Sequence, residues 1–164
     1  MQNSGQLESV EDVVGSRVGK SDGLFDDGEG ELSDAASVLD WLQQYNTNSK
    51  ICWVAGFSFG AWVAMQLLMR RPEINGFVCI SPPANIRDFG FLAPCPSSGL
   101  IVHGDKDTIA SYDSTKILSE KLQKQKKVEI LFKPVKGADH FYENYKEEFS
   151  QIIDDYIKEK LSEK

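Results

Sequence analysis

Gly56-Phe57-Ser58-Phe59-Gly60 is the stretch of sequence that decides the fold, because an apolar run precedes it and a helix-forming run follows it. The preceding run, Ile51–Ala55, predicts a buried strand, and the run Phe59–Arg71 predicts a helix with one apolar face. A strand that turns abruptly into a helix strains the first residue of the turn and needs neighbours without bulk. The pattern therefore predicts that Ser58 stands exposed above a sheet, at the positive end of a helix, as a nucleophile.

The size and charge of the chain limit the partners that it can have. Its 164 residues predict one domain that is large enough to bury a core. The 18 basic and 25 acidic residues give a formal net charge of −7, which argues against affinity for nucleic acid or for an anionic membrane. We therefore expect a small-molecule partner.

The cysteines, the histidines and the N-terminal residues bear on the compartment and on metal binding. Cys52, Cys79 and Cys95 include no Cys-x-x-Cys pair, so we expect buried free thiols and a reducing compartment. Two separated histidines and no cysteine cluster give no spacing typical of a metal site, and we expect neither a metal nor a cofactor. The N-terminus has no charged segment leading into an apolar one, and no apolar run could span a bilayer, so we expect a cytoplasmic protein.

Apolar runs and amphipathic stretches alternate along the rest of the chain. Helices are predicted over Glu31–Tyr45, Ser114–Lys124 and about Glu143–Leu161, the last with an inward stripe of Phe149, Ile152, Ile153, Tyr156, Ile157 and Leu161. Strands are predicted over Gly76–Ser81, Gly99–His103 and Val128–Val135. This alternation predicts an α/β fold, a three-layer α/β/α sandwich with a mainly parallel sheet, whose ligands lie beyond the carboxyl ends of the strands. We place this single domain at residues 31–164, because residues 1–30 are polar, acidic and rich in glycine and specify no clear element.

A serine hydroxyl needs a base to take its proton and an acid to orient that base. His140 follows the fourth predicted strand, in a loop that can reach the rim where Ser58 stands. His103 closes a strand, and we interpret it as a core or strand-end residue. The sequence therefore favours His140 as the base.

Three aspartates are candidates for the acid. Asp105 and Asp107 follow the third strand, and we expect one of them to orient the base while the other satisfies amides of the turn. Asp139 adjoins His140, but adjacent side chains usually diverge, so we interpret it as a turn residue.

Five stretches carry a resemblance to a known family: Val54-Ala55-Gly56-Phe57-Ser58-Phe59-Gly60-Ala61, Ser81-Pro82-Pro83-Ala84-Asn85, Asp88-Phe89-Gly90-Phe91-Leu92, Leu100-Ile101-Val102-His103-Gly104-Asp105-Lys106-Asp107 and Gly137-Ala138-Asp139-His140-Phe141. With them the chain, from about Arg17 to its C-terminus, resembles the α/β-hydrolase superfamily. It is most similar to the small bacterial serine hydrolases grouped as dienelactone-hydrolase-like and carboxylesterase-like. The family pattern puts the acid at the second aspartate of His-Gly-Asp-x-Asp, which implies Asp107, and the order Ser58, Asp107, His140 is the order of the α/β-hydrolase triad.

The resemblance implies hydrolysis of a small carboxylic ester or thioester through an acyl-Ser58 intermediate, with His140 as the base and Asp107 as its orienting acid. Dienelactone hydrolases proper use cysteine where this chain has Ser58, so their substrate is not carried over.

The front of the chain departs from the family pattern. In such families, further strands precede this region at the start of the fold. A loop after one of these strands supplies a backbone amide to the oxyanion hole, near a His-Pro or His-Gly sequence. No such sequence precedes Gly56 in this chain. Arg17–Gly23 resembles the segment after the fourth family strand, without a clear strand before it. We therefore expect the Phe59 amide to serve the oxyanion without its usual companion, and the strand that carries Ser58 to keep an unpaired edge. These features predict an N-terminally truncated hydrolase; the alternative is an impaired or inactive one that self-associates through that edge.

Three further patterns have simple interpretations. Gly15–Ser21 falls one residue short of the phosphate-binding loop, with three residues instead of four before Gly-Lys-Ser, and we reject that reading. Aromatic residues at helix or strand spacing are usually core residues, an interpretation that applies to Trp41, Trp53 and Trp62. The loop from Pro82 to Ser98 is expected to shape an apolar pocket through Phe89, Phe91 and Leu92.

Overall fold

The computed structural model describes residues 25–162, which form a four-stranded parallel sheet between layers of helices. In chain order the elements are α1 (Glu29–Tyr45), β1 (Trp53–Phe57), α2 (Phe59–Arg70), β2 (Gly76–Ile80), a short 3₁₀ helix (Gly90–Leu92), β3 (Gly99–Gly104), α3 (Tyr112–Gln123), β4 (Ile130–Val135) and α4 (Lys146–Ser162). The α/β sandwich predicted from the sequence is confirmed. The interpretations of Gly15–Ser21 and Arg17–Gly23 lie outside the described residues.

The register of the sheet brings the carboxyl ends of all four strands to one edge. The strand order is β1-β2-β3-β4, and every neighbouring pair is parallel. Phe57 pairs with Ile80, Ile80 pairs with Val102, and Gly104 pairs with Val135. Because ligands of open α/β sheets bind beyond these ends, the residues that follow each strand define where a site can form.

Two apolar clusters cover the two faces of the sheet. Alternate strand residues such as Phe77 and Ile101 pack with α1, α2 and α3, where Met65, Leu68 and Leu122 are buried. The residues of the opposite parity, such as Val78 and Leu100, pack with α4 through Tyr156. The period-2 alternation of the strands thus supplies both halves of the core.

Several element boundaries differ from those predicted: α3 begins at Tyr112 instead of Ser114, β4 begins at Ile130 instead of Val128, and the starts of α1, β1 and α4 also differ. Helix α1 begins at Glu29, two residues early, because the Glu31 carboxylate accepts the Gly28 amide at 2.9 Å and closes the first turn. Strand β1 begins at Trp53 instead of Ile51, since the Asn75 side chain bonds the backbone of Lys50 and Cys52 before the ladder starts.

Helix α4 begins at Lys146 instead of about Glu143. Tyr142 has a φ of +55°, which a helix cannot continue, and a turn closes with the Tyr145 amide on the Tyr142 carbonyl. At the other end of α4, Leu161 is 43% exposed, so the inward stripe does not extend to it.

Strand β1 is less buried than the other three strands of the sheet. It has one sheet neighbour among residues 25–162, and its side chains are half-buried or exposed, whereas every residue of β3 is buried. Among residues 25–162, no strand pairs with the outer edge of β1, which is the edge that the sequence predicts to be unpaired.

The three tryptophans do not share one environment. Trp41 is 48% exposed on α1 and packs on Tyr45, so its interpretation as a core residue is wrong. Trp53 and Trp62 are half-buried and pack against the core clusters. Among residues 25–162, no helix combines the length and the apolar character that crossing a membrane would need.

Candidate active site

Ser58 lies at the turn between β1 and α2 in a strained backbone conformation. Its φ of 52° and ψ of −119° belong to a region that residues with a Cβ rarely adopt. Two backbone bonds hold it there: its amide donates to the Ile80 carbonyl at 2.8 Å, and its carbonyl accepts the Ala61 amide at 3.0 Å. The turn predicted for the pentapeptide is thus present, and it lifts the hydroxyl above the end of the sheet.

The two glycines of the pentapeptide differ in how closely other atoms pack against them. A Cβ added to Gly56 would lie 2.3 Å from the Gly60 carbonyl oxygen and 2.7 Å from Ala61 Cα, so the start of α2 packs directly on this residue. A Cβ added to Gly60 would meet no atom of the described residues within 4 Å. The expected need for small neighbours on both sides of Ser58 therefore holds for Gly56 and not for Gly60.

His140 lies between Ser58 and Asp107 and is hydrogen-bonded to both. Its Nδ1 is 2.7 Å from Asp107 Oδ2, and its Nε2 is 3.0 Å from Ser58 Oγ. A carboxylate only accepts, so Nδ1–H donates to Asp107 and Nε2 is left to accept the Ser58 hydroxyl proton. The structure thus brings together the three residues that the sequence singled out, although Ser58 and His140 are 82 positions apart.

The Asp107 carboxylate is fully buried and accepts three hydrogen bonds. Oδ1 accepts the amides of Ile109 and Ala110, both at 2.8 Å. Oδ2 accepts His140 Nδ1–H, and His103 Nε2 lies 3.4 Å from the same oxygen. Hydrogen bonds to the charged form favour that form, so the site is built around an ionised carboxylate.

The other two aspartates have different positions. Asp105 Oδ1 accepts the Gly137 amide at 2.6 Å and so ties the end of β3 to the loop that carries His140. Asp139 is exposed to solvent. Of the two residues left open by the pattern after the third strand, Asp107 contacts the imidazole and Asp105 satisfies an amide of a turn.

The first amide of α2 is placed to stabilise a negative charge near Ser58. Phe59 follows Ser58 directly, and its N–H has no acceptor among the described residues. It is one of the free amides at the positive end of the helix. The predicted absence of the companion amide concerns residues before Phe25, which lie outside the described part of the chain.

Two phenylalanine rings flank the imidazole of His140. The Phe57 ring centroid is 4.9 Å and the Phe141 centroid is 5.1 Å from that of His140. Their side chains are 40% and 58% exposed, so they present apolar surface beside the Ser58 hydroxyl. The sequence analysis did not select them, although each adjoins a candidate site residue.

The loop after β2 does not form the apolar pocket that was expected of it. Phe89 and Leu92 are buried in the core on the α2 side of the sheet, and Phe91 packs against that core. The apolar residues of this loop therefore stabilise the fold and do not line the space above Ser58.

A separate pocket of about 340 Å³ lies on another side of Asp107. Polar groups line it, among them Asn85, Thr108, Ser111 and Asp113, and neither Ser58 nor His140 does. Among the described residues, no group of three or more His, Cys, Asp or Glu side chains could hold a metal ion. This pocket is therefore distinct from the space that a group attached to Ser58 would occupy.

The cysteines are unsuited to nucleophilic chemistry. All three are free, Cys79 and Cys95 are buried, and Cys52 is half-buried. Burial raises the pKa of the thiol in each of them, which keeps the thiol protonated. Ser58 is thus the nucleophile candidate that the described residues offer at the edge of the sheet.

Comparison with known proteins agrees with the fold. The sequence model of the family described as X-Pro dipeptidyl-peptidase (S15 family) matches residues 9–156. An uncharacterized protein of Rickettsia prowazekii (strain Madrid E) is 54% identical over 144 residues, which are 85% of this chain. The chain spans 60% of the length of that relative.

Solved structures give the same picture. A protein of unknown function from Agrobacterium tumefaciens, described as a putative α/β hydrolase, is 52% identical and superposes with a TM-score of 0.88 over 91% of this chain and 68% of its own. An α/β serine hydrolase homologue from Coxiella burnetii is 30% identical, with a TM-score of 0.73 over 84% of this chain and 63% of its own. A serine hydrolase without a lid from Xanthomonas campestris is 31% identical, with a TM-score of 0.67 over 79% of this chain and 56% of its own.

Proposed function

The chain belongs to the X-Pro dipeptidyl-peptidase (S15) family within the α/β-hydrolase superfamily, and from this premise we propose that it is a serine hydrolase of small carboxylic esters or thioesters. The observation that carries the proposal is the hydrogen-bonded series from Ser58 through His140 to Asp107. These contacts match the roles of nucleophile, base and orienting acid by geometry. Phe59 provides one amide for the oxyanion.

The proposed reaction begins with attack by Ser58 Oγ on the carbonyl carbon of the substrate. His140 Nε2 takes the hydroxyl proton as the new C–O bond forms, and the Phe59 amide donates to the oxygen that gains negative charge. The tetrahedral intermediate then expels the alcohol or thiol, which receives the proton from His140 Nε2. An acyl group remains on Ser58.

Release of the acyl group repeats these steps with water as the nucleophile and Ser58 Oγ as the leaving group. His140 takes a proton from water as the water oxygen attacks the acyl carbon, and then returns a proton to Ser58 Oγ. Asp107 stays ionised throughout and stabilises the imidazolium that forms twice in each cycle. The products are a carboxylic acid and a regenerated hydroxyl.

The substrate class is inferred from the surroundings of the hydroxyl. The exposed rings of Phe57 and Phe141 offer apolar contacts to a group bound beside His140. No metal is needed for an acyl transfer of this kind, because Ser58 is activated by its base. The description of the family adds X-Pro peptide amides as a second substrate class for the assays.

The proposal is tested with the purified chain, a fluorophosphonate probe and p-nitrophenyl acetate. We expect covalent labelling of Ser58, located by peptide mass mapping, and a burst of p-nitrophenol followed by slower turnover. Ser58→Ala abolishes both signals, whereas Ser37→Ala, at an exposed serine of α1, leaves them unchanged. Absence of labelling and of a burst in the folded wild-type chain would refute the proposal, and glycyl-prolyl p-nitroanilide in parallel separates peptidase from esterase activity.

The alternative is an impaired or inactive hydrolase that acts through assembly at the outer edge of β1. The observation that favours it is that β1 has a single sheet neighbour among the described residues. An exposed strand edge offers unpaired amides and carbonyls to another chain. Light scattering across a range of protein concentrations, run on the sample used for labelling, separates the two: a monomer that labels at Ser58 contradicts the alternative.

A further inference from the structure

His103 is the second histidine of the chain, and the proposed mechanism does not use it. It is the fifth residue of β3 and is completely buried. Its Nε2 lies 3.1 Å from the Ala110 carbonyl oxygen and 3.4 Å from Asp107 Oδ2. It therefore contacts the same carboxylate oxygen that accepts the hydrogen bond from His140.

The surroundings of the ring determine its tautomer. Both neighbours of Nε2 are acceptors, so Nε2 carries a proton, and Nδ1 is a lone pair without a partner among the described residues. Burial lowers the pKa of His103, so the ring is neutral in the native state. The titratable groups that face it are Asp107, His140 and the Tyr112 ring of α3, whose centroid is 6.0 Å away.

The unpartnered Nδ1 is unfavourable for a residue that serves packing alone. A buried acceptor without a donor costs stability, and an apolar side chain of similar volume would avoid that cost. The compensating interaction at this ring is made by Nε2–H, which donates to the Ala110 carbonyl and lies 3.4 Å from Asp107 Oδ2. The functional side of His103 is therefore the side that faces the carboxylate.

We propose that His103 is a positioning residue for the Asp107–His140 pair, and that it acts through the turn at Ala110. This inference rests on the proposed hydrolase function. The Nε2–H of His103 donates to the Ala110 carbonyl and so holds the turn whose Ile109 and Ala110 amides bind Asp107 Oδ1. The same N–H group lies 3.4 Å from Asp107 Oδ2, where its dipole reduces the negative charge that His140 meets.

Two substitutions at His103 separate positioning from packing. His103→Leu fills the space and removes the donor, whereas His103→Gln keeps an N–H donor at about the position of Nε2. We expect His103→Leu to lower kcat for p-nitrophenyl acetate by about tenfold with KM changed by less than about twofold. His103→Gln should recover kcat to within about threefold of the wild type.

The pH profile is the measurement that a packing role would not move. Without the N–H dipole 3.4 Å from Oδ2, the carboxylate charge favours the protonated imidazole more strongly, so the acid limb of kcat/KM shifts to higher pH in His103→Leu by about half a unit. His103→Gln should keep the wild-type limb. The control is Ile101→Val, two residues away on the same face of β3, which perturbs the core beside the ring and leaves the hydrogen-bonding groups in place.

Nitrogen NMR tests the tautomer without any assay of activity. The chain has two histidines, so a sample labelled with ¹⁵N-histidine gives two ring systems to assign. We expect His103 to show the neutral Nε2–H form at neutral pH. A proton on Nδ1 of the neutral ring would overturn the inference.

The outcomes separate this inference from the proposed function. A wild-type chain that neither labels at Ser58 nor turns over substrate refutes the function, while the NMR spectrum still reports the tautomer. An active wild type together with a folded His103→Leu that keeps its kcat and its acid limb refutes the positioning role alone. If His103→Leu does not fold, the test uses the NMR spectrum of the wild type and the kinetic constants of His103→Gln. A folded His103→Gln whose kcat is lowered by more than about tenfold counts against the proposal.

Discussion

The Tyr142 hydroxyl lies 2.7 Å from Ser81 Oγ, and this bond joins the loop that carries His140 to the end of β2. Both residues are buried, and both have a positive φ, 55° at Tyr142 and 44° at Ser81. Non-glycine residues hold such a conformation only where surrounding contacts enforce it. The bond thus supports two strained turns at once, one on each side of the site.

Tyr142→Phe should lower the free energy of unfolding by about 1–3 kcal/mol, because the buried Ser81 hydroxyl loses its side-chain partner. Urea unfolding at neutral pH measures the change. Tyr45→Phe, at an exposed tyrosine of α1, is the matched control and should change stability by less than about 0.5 kcal/mol. Equal effects of the two substitutions would contradict the role given to the bond.

Alanine should have opposite effects at the two glycines beside the nucleophile. Gly56→Ala forces a Cβ against the Gly60 carbonyl and should destabilise the chain by about 1–3 kcal/mol. Gly60→Ala lies in α2 with open space around it, and alanine favours a helix over glycine by about 1 kcal/mol, so this variant should be as stable as the wild type or more stable. Thermal unfolding of both variants checks the prediction, and a loss at Gly60 equal to that at Gly56 would disprove it.

The strain at Ser58 can be measured by comparing two inactive variants. Glycine adopts a φ near 52° without the penalty that alanine retains, so Ser58→Gly should be more stable than Ser58→Ala by about 1 kcal/mol. Ser37 provides the control, since it lies inside α1, where alanine should be more stable than glycine by about the same amount. The backbone account fails if the order at Ser58 matches the order at Ser37.

His103 should make the stability of the chain depend on pH. Burial lowers its pKa in the native state, so below about pH 6.5 the unfolded chain binds a proton that the folded chain does not bind. Stability from this source is therefore present at neutral pH and is lost as the pH falls, with a slope of at most about 1.4 kcal/mol per pH unit. Urea unfolding at several values between about pH 5 and 7 should show a smaller slope for His103→Gln than for the wild type, and identical slopes would exclude this contribution.

The sequence alone was sufficient for the fold and for the three residues of the candidate site. A strand, a Gly-x-Ser-x-Gly turn and a helix must follow one another in space as in sequence, and parallel strands bring the loops after β3 and β4 to the same edge. Ser58 and His140 could therefore be selected from local patterns and chain order, whereas the choice of Asp107 over Asp105 came from the resemblance to the family.

Contacts between distant side chains could not be predicted in the same way. The contact of His103 with Asp107 depends on the turn that returns Ala110 to the end of β3, and the pairing of Tyr142 with Ser81 depends on two residues with positive φ. Trp41 is exposed for a related reason. The periodicity of α1 predicts which residues share its apolar face, but it does not predict how much of that face the neighbouring elements cover.

The buried carboxylate of Asp107 also sets an order of events during synthesis of the chain. It joins the end of β3, the turn at Ile109 and Ala110, and the loop of His140, which leaves the ribosome long after Ser58 has done so. A nascent chain can form the elbow and the Asp107 turn before the loop of His140 exists, but the serine then has no base beside it. Under the proposed function, the Ser58 hydroxyl becomes reactive only when the loop of His140 docks. A chain that lacks this loop therefore carries an unreactive serine.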